Sequence, residues 1–192
     1  ATVFSMNPAG LPYAGGQAGA FVVDAATEST AVEISTYEQF AAFAKAVNAG
    51  TAESYASVKL TADITIPAGT TWTPIGSAAN PYTGVFDGDG HTVSGLTASI
   101  TAAEYNAEND SVPFGLFGQT QGATIKNLKM SNVEISGSAG SGSGILCGRS
   151  IATTISGCTI DNSCTFNGNT AMVGGLGCML IESTVSDCVV AV

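Results

Sequence analysis

Charge is scarce in this sequence. Asp, Glu, Lys and Arg make up 10% of 192 residues, against roughly 25% in an ordinary soluble domain. The five basic residues, Lys45, Lys59, Lys126, Lys129 and Arg149, are scattered, and the net charge is −10. Such a chain has no footprint for a phosphate backbone, which excludes nucleic acid as a partner. No apolar run approaches the ~18 residues of a transmembrane helix, so no membrane span is expected. Residues Ala1 to Val23 are uncharged, but Gly, Pro, Asn and Gln interrupt them. They lack a basic n-region and a continuous apolar core, and so read as neither a span nor a signal peptide. There is one histidine and no C-x-x-C pair, so neither a zinc site nor any other metal or cofactor site is expected. Patterns of the G-x-S-x-G, P-loop and dinucleotide-binding kinds are missing as well.

Gly, Ser, Thr and Asn stand where Lys and Glu would usually be, a surface more typical of extracellular β-rich proteins. Within it a short phrase recurs. Thr92-Val93-Ser94-Gly95-Leu96 is echoed by Thr124-Ile125-Lys126-Asn127-Leu128, by Thr154-Ile155-Ser156-Gly157-Cys158 and by Thr184-Val185-Ser186-Asp187-Cys188, at intervals of 32, 30 and 30 residues. A fixed period of this length with short apolar cores marks a stacked-coil solenoid, in which one coil buries its apolar face only when the next lies on it. The period aligns Leu116, Leu146 and Leu176; Ile125, Ile155 and Val185; Leu128, Cys158 and Cys188; and Met130, Ile160 and Val190, which predicts inward ladders of like residues. Gly-rich stretches such as Gly137 to Gly144 are expected to turn corners. The segment Ala98 to Val112, with Glu104, Glu108 and Asp110, reads as a protruding acidic loop.

Ahead of the repeats, residues 1–30 are rich in Ala, Gly, Ser and Thr, the composition of an arm, with one strand-like run at Ala20-Phe21-Val22-Val23. Residues 31–192 form the second part. Val32-Glu33-Ile34 reads as a short strand. Ser35-Thr36-Tyr37-Glu38 is a capping-box pattern, and Tyr37, Phe40, Phe43, Ala44 and Val47 share one helical face. Asn48-Ala49-Gly50 supplies the stop. This helix is expected to cap the first coil. Val58 to Ile66 alternates as a half-buried strand should, and Trp72, the single tryptophan, reads as core filling near the cap.

Taken in order, EQFAAFAKAVNAG, KLTADITI, WTPIG, FDGDGHTVSGL, the GLFG of Gly115 to Gly118 and GATIKNL resemble the bacterial cell-surface proteins with GLUG-type repeats. The likeness covers roughly Glu33 to Val192, with the later GLFG equivalents drifted to Ile145-Leu146-Cys147-Gly148 and Gly175-Leu176-Gly177-Cys178. It implies an all-β, right-handed parallel β-helix within a secreted or wall-anchored protein.

Asp87-Gly88-Asp89-Gly90-His91 gathers two carboxylates and the histidine. It lacks the further oxygen ligands that calcium requires, and Asp-Gly is above all a turn signal. For a polysaccharide-cleaving β-helix, the enzymatic alternative, Lys126 with Asp161 and Asp187 is the best candidate set for proton abstraction and acid catalysis. Asp187 aligns with Asn127 and Gly157, however, so no column of carboxylates forms. The five cysteines, Cys147, Cys158, Cys164, Cys178 and Cys188, read as buried thiols used as small hydrophobes. A Cys158–Cys188 disulfide between adjacent coils is the other reading, since strands about 4.8 Å apart fall within the Cα range of a disulfide.

The expectation is therefore a non-catalytic extracellular or cell-surface protein with a structural or adhesive role. The alternative is carbohydrate binding or cleavage, with Tyr55, Tyr82 and Tyr105 as the aromatics that would line a groove. Val192 aligns with Asn162 and Asn132, partway through a coil, so the last coil is expected to be open. Its expected cover is the N-terminal arm or helix-capped end of another copy, added head to tail as a filament; the alternative is that residue 192 is a boundary within a longer surface protein and the arm folds back along its own coils.

Overall fold

A computed structural model describes residues 31–100, 114–137, 142–168 and 172–191. The N-terminal arm, the acidic loop with Glu104, Glu108 and Asp110, Tyr105, and the centre of the Gly137–Gly144 stretch lie outside the described residues. Residues 31–192 constitute one compact unit, a β-solenoid of parallel strands with, among the described residues, a single α-helix, α1 (Tyr37–Asn48), before the coils.

Three longer sheets form its walls. The first holds six strands, in the order Val32–Ile34, Ser57–Leu60, Val85–Asp87, Thr124–Lys126, Thr154–Ser156 and Thr184–Ser186. The second holds Ile64–Thr65, Thr92–Ser94, Lys129–Ser131, Thr159–Ile160 and Val189–Val190. The third holds Thr97–Ile100, Glu134–Gly137 and Thr165–Gly168. A pair, Gly142–Gly144 with Met172–Gly174, and a trio, Phe117–Gln121, Cys147–Ile151 and Gly177–Ile181, close the circuit. All of these pairings are parallel.

The repeat locks in register where it was legible. Ile125, Ile155 and Val185 face one another across the first sheet, as Met130, Ile160 and Val190 do across the second. Leu116 and Leu146 are wholly buried, and Leu176 packs against the same core. The first echo is different. Thr92 stacks on Lys129, not on Thr124, whose neighbour is Val85. The column of Ile125 therefore continues through Phe86 and Val58 to Val32. The phrase TVSGL belongs to the second sheet and its later echoes to the first. Both sheets use the same cycle of apolar centre and left-handed corner, so one phrase suits either wall. Corners at Asn127, Gly157 and Asp187 have φ of 53, 62 and 53°, a region tolerated best by Gly, Asn and Asp. At Gly157 a Cβ would also lie 2.8 Å from Asn127 Oδ1.

Two local readings shift. The Val58–Ile66 run is not one strand: it breaks after Leu60, turns a corner, and resumes in the second sheet at Ile64. Both halves keep their alternation, so the pattern survives the corner. Helix α1 spans Tyr37–Asn48, and its N-cap is Thr36, one residue later than the motif suggested. The Thr36 hydroxyl accepts from Gln39 N at 3.3 Å, and Gln39 Oε1 accepts from Thr36 N at 3.2 Å. The reciprocal pair is a capping box with Gln in place of Glu. Phe40, Phe43, Ala44 and Val47 are buried on the inner face. Phe40 stacks on Trp72 at 5.5 Å and Phe43 on Phe86 at 5.8 Å, so the helix closes the apolar end of the first coils. Trp72 Nε1 donates to Leu116 O at 3.3 Å, tying the cap to the first GLFG turn.

Candidate functional site

The Asp87–His91 turn sits on the outer surface at the corner between the first and second sheets. Asp89 and Gly90 adopt φ of 49 and 82°, which is why an Asp-Gly pair stands there. Asp87 Oδ1 accepts from Asp89 N at 2.9 Å and from Asn127 Nδ2 at 3.1 Å, and its other oxygen lies 3.1 Å from Lys126 Nζ. Partial burial pushes the Asp87 carboxyl up, but the Asp89 amide, Asn127 and Lys126 together outweigh it and hold it below the usual range. Asp89 pairs with Lys59 at 2.9 Å, and that hydrogen bond raises the lysine. His91 Nδ1 lies 3.3 Å from Asp63 Oδ1, an atom that also accepts from Thr92 N at 2.8 Å. The Thr92 amide, with His91 behind it, holds Asp63 below the usual carboxylate range. Asp63 and Asp87 thus have partners that favour their charged forms, the opposite of what a general acid requires. The arrangement braces one corner across successive coils.

Lys126, Asp161 and Asp187 are not brought together. Lys126 is paired with Asp87. Asp161, at the end of a second-sheet strand, accepts from Ser163 N at 2.9 Å and from the Ser163 hydroxyl. Asp187 is an exposed corner residue with positive φ. Among the described residues, no three of His, Cys, Asp and Glu are grouped to hold a metal ion.

Of the proposed groove aromatics, Tyr82 belongs to the interior instead and Tyr55 is half-buried against it. Tyr82 is 2% exposed and stacks on Phe117 at 5.7 Å, and Tyr55 packs on Phe43 at 5.4 Å. Both stand beneath the helix cap, where the wide first coils need large rings to fill them. Burial pushes the Tyr82 phenol up, and its oxygen has no partner among the described residues.

The cysteines are free thiols. Cys158 and Cys188 stack as expected, with Cys158 N donating to Cys188 Sγ at 3.4 Å. Burial pushes the Cys147 and Cys158 thiols up to about 12, so both are protonated and poor nucleophiles at neutral pH.

A site that the sequence reading missed lies on the third sheet. A cleft of about 820 Å³ runs between the loop Gly69 to Pro74 and the outer faces of the strands Thr97–Ile100 and Glu134–Gly137, with Phe114 at its margin. Its signal in the sequence is faint, because Thr and Ser at alternate strand positions are also what any solvated sheet face carries. Glu134 is its carboxylate, held by Asn167 Nδ2 at 3.1 Å.

Among the described residues, no helix is long and apolar enough to cross a membrane. No family model matches the chain, and neither does any curated protein. Among solved structures, a candidate immunoglobulin A1 protease from Bacteroides ovatus aligns at 14% identity and a TM-score of 0.36, covering 85% of this chain and 76% of its own. A likeness at that level carries no argument about what this chain does.

Proposed function

We propose that the chain is a non-catalytic structural or adhesive element of an extracellular or cell-surface assembly. The last described coil receives further β structure, either from chain that follows it or from the N-terminal segment, residues 1–30, of another copy added head to tail as a filament. One observation carries this reading. Of the seven large hydrophobic residues exposed among the described residues, six belong to that coil: Val173, Leu180, Ile181, Val185, Val189 and Val190. The column partners of Val173, Leu180, Val185 and Val190 one coil earlier, Ser143, Ser150, Ile155 and Ile160, are fully buried, whereas Ile151 and Thr159, the partners of Ile181 and Val189, are half-buried. An apolar floor beside an open strand edge is a template for strand addition. The run Ala20-Phe21-Val22-Val23 has the composition to supply that strand. Because the strands are parallel, the two ends of the solenoid are unlike surfaces, and a contact between unlike surfaces propagates. The low charge and the resemblance to GLUG-type surface proteins support the extracellular setting.

Light scattering over a concentration series tests this on the full chain and on a chain lacking residues 1–30. The full chain is expected to gain mass with concentration while the shortened chain stays monomeric. Two stable monomers at high concentration would refute the association. A reducing-sugar assay on plant and host polysaccharides tests the non-catalytic reading. Turnover that is lost in Lys126→Ala or Asp161→Ala would overturn it.

A further inference from the structure

The third sheet begins late. The first and second sheets start at Val32 and Ile64, whereas the third starts at Thr97, and the loop Gly69 to Pro74 is not a strand. The cleft occupies the place where an earlier strand of the third sheet would lie. Among the described residues its inner wall is therefore an open strand edge. Leu96 O accepts from Glu134 N at 2.9 Å, so alternate residues from Leu96 direct their backbone groups at the neighbouring strand. Thr97 and Ser99 turn theirs toward the cleft.

The chemistry of this wall is one-sided. Above the edge, two outward rows cross the sheet in register, Thr97–Glu134–Thr165 and Ser99–Ser136–Asn167; Thr97, Glu134, Ser99 and Ser136 line the cleft, and the Ser136 hydroxyl donates to Ala98 O at 3.2 Å. Their rungs are about 4.8 Å apart, close to the length of one pyranose unit. Hydroxyls act as both donor and acceptor, which suits a ligand whose own groups do the same. Thr71 and Thr73 present two more from the facing loop, and Pro74 and Phe114 add apolar surface. Among the described residues neither Lys, Arg nor His lines the cleft, so none of them compensates an anionic ligand, and Glu134 opposes one. The volume lies within the ~300–1,000 Å³ of ligand sites.

We propose that this cleft binds an uncharged polysaccharide, with the sugar chain lying across the rungs and its hydroxyls meeting those of Thr97, Ser99, Ser136, Thr71 and Thr73 and the backbone groups that Thr97 and Ser99 turn toward it. The site is separate from the last coil, so the proposal stands or falls independently of the head-to-tail association.

Isothermal titration of the full chain with cellohexaose, xylohexaose, mannohexaose and polygalacturonate tests it. At least one neutral hexasaccharide is expected to bind and polygalacturonate is not. Ser99→Glu places a bulky anion on an exposed position and is expected to weaken that binding at least about tenfold, roughly 1.4 kcal/mol, without changing the melting temperature. Glu134→Lys reverses the charge of the cleft and is expected to admit polygalacturonate. The proposal is overturned by any of three results. These are no binding of the neutral hexasaccharides, binding that Ser99→Glu leaves unchanged, or displacement of the sugar by an extended Thr-Val hexapeptide, which would make the open edge a peptide acceptor.

Discussion

Ile125 and Val185 occupy the same inward column two coils apart, yet Ile125 is fully enclosed and Val185 is 41% exposed. Truncating each to alanine should therefore have unequal consequences. Ile125 lies between Phe86 and Ile155, each 0% exposed, so neither neighbour can move to fill the void. Loss of its side chain removes transfer free energy and leaves a cavity, which costs about 2–5 kcal/mol for Ile→Ala in a packed core. Taking about 4 kcal/mol, and about 2–4 °C per kcal/mol for a chain of this size, the melting temperature should fall by roughly 8–16 °C. Val185→Ala removes less apolar surface and already has solvent on one side, so about 1 kcal/mol or less is expected. Urea unfolding at low protein concentration, followed by circular dichroism, reads both. Equal losses, or an Ile125→Ala cost under about 1 kcal/mol, would mean that the column is not the inward ladder described.

Other consequences are within reach of the same preparations. Thr36→Ala removes one half of the capping box and should cost about 1 kcal/mol, whereas Ser35→Ala, one residue before the cap, should cost little. Asp63 and Asp87 both titrate below their ordinary value in the folded chain. Their stabilising contribution is therefore complete above the unfolded value of about 3.9 and is lost as pH falls through their lower folded values. Asp63→Asn should flatten that acid limb of a melting-temperature profile, and an unchanged slope would count against the Thr92 and His91 contacts. Cys147 and Cys158 should resist thiol reagents at neutral pH in the folded protein and react only on unfolding. Rapid labelling of either by mass spectrometry would contradict their burial.

The architecture was legible because the 30-residue period is a physical requirement of stacking like on like: Ile125 over Ile155 and Leu116 over Leu146 can be aligned by eye. Helix α1 was legible for the same kind of reason, with four buried residues at helical spacing. What misled was the first echo. Val85-Phe86-Asp87, the true neighbour of Thr124-Ile125-Lys126, carries a Phe where later coils carry Ile, because the coils beneath the helix are filled by aromatic rings. The interval there is lengthened by residues that lie outside the described structure. The Asp87–His91 cluster was correctly read as a turn, but its partners Lys59, Asp63 and Lys126 sit a coil away and have no sequence signature. The buried place of Tyr82 was equally hidden, since a tyrosine looks the same in sequence beneath a cap or in a groove. The third-sheet cleft arises from a strand that does not form, and an absent strand leaves no motif.

Backbone hydrogen exchange at the edge of the last described coil distinguishes an edge covered by another copy from an open one. In the strand Thr184–Ser186, Thr184 N donates inward to Thr153 O at 2.9 Å, so by alternation the Val185 amide faces the open edge. If another copy adds to that edge, exchange at Val185 and at Val190, which lies between the inward-donating Val189 and Ala191, should slow as protein concentration rises, and should stay fast at every concentration when residues 1–30 are removed. Exchange at these amides that is independent of concentration in the full chain, with Ile125 and Ile155 protected throughout, would leave the solenoid intact and contradict its head-to-tail assembly.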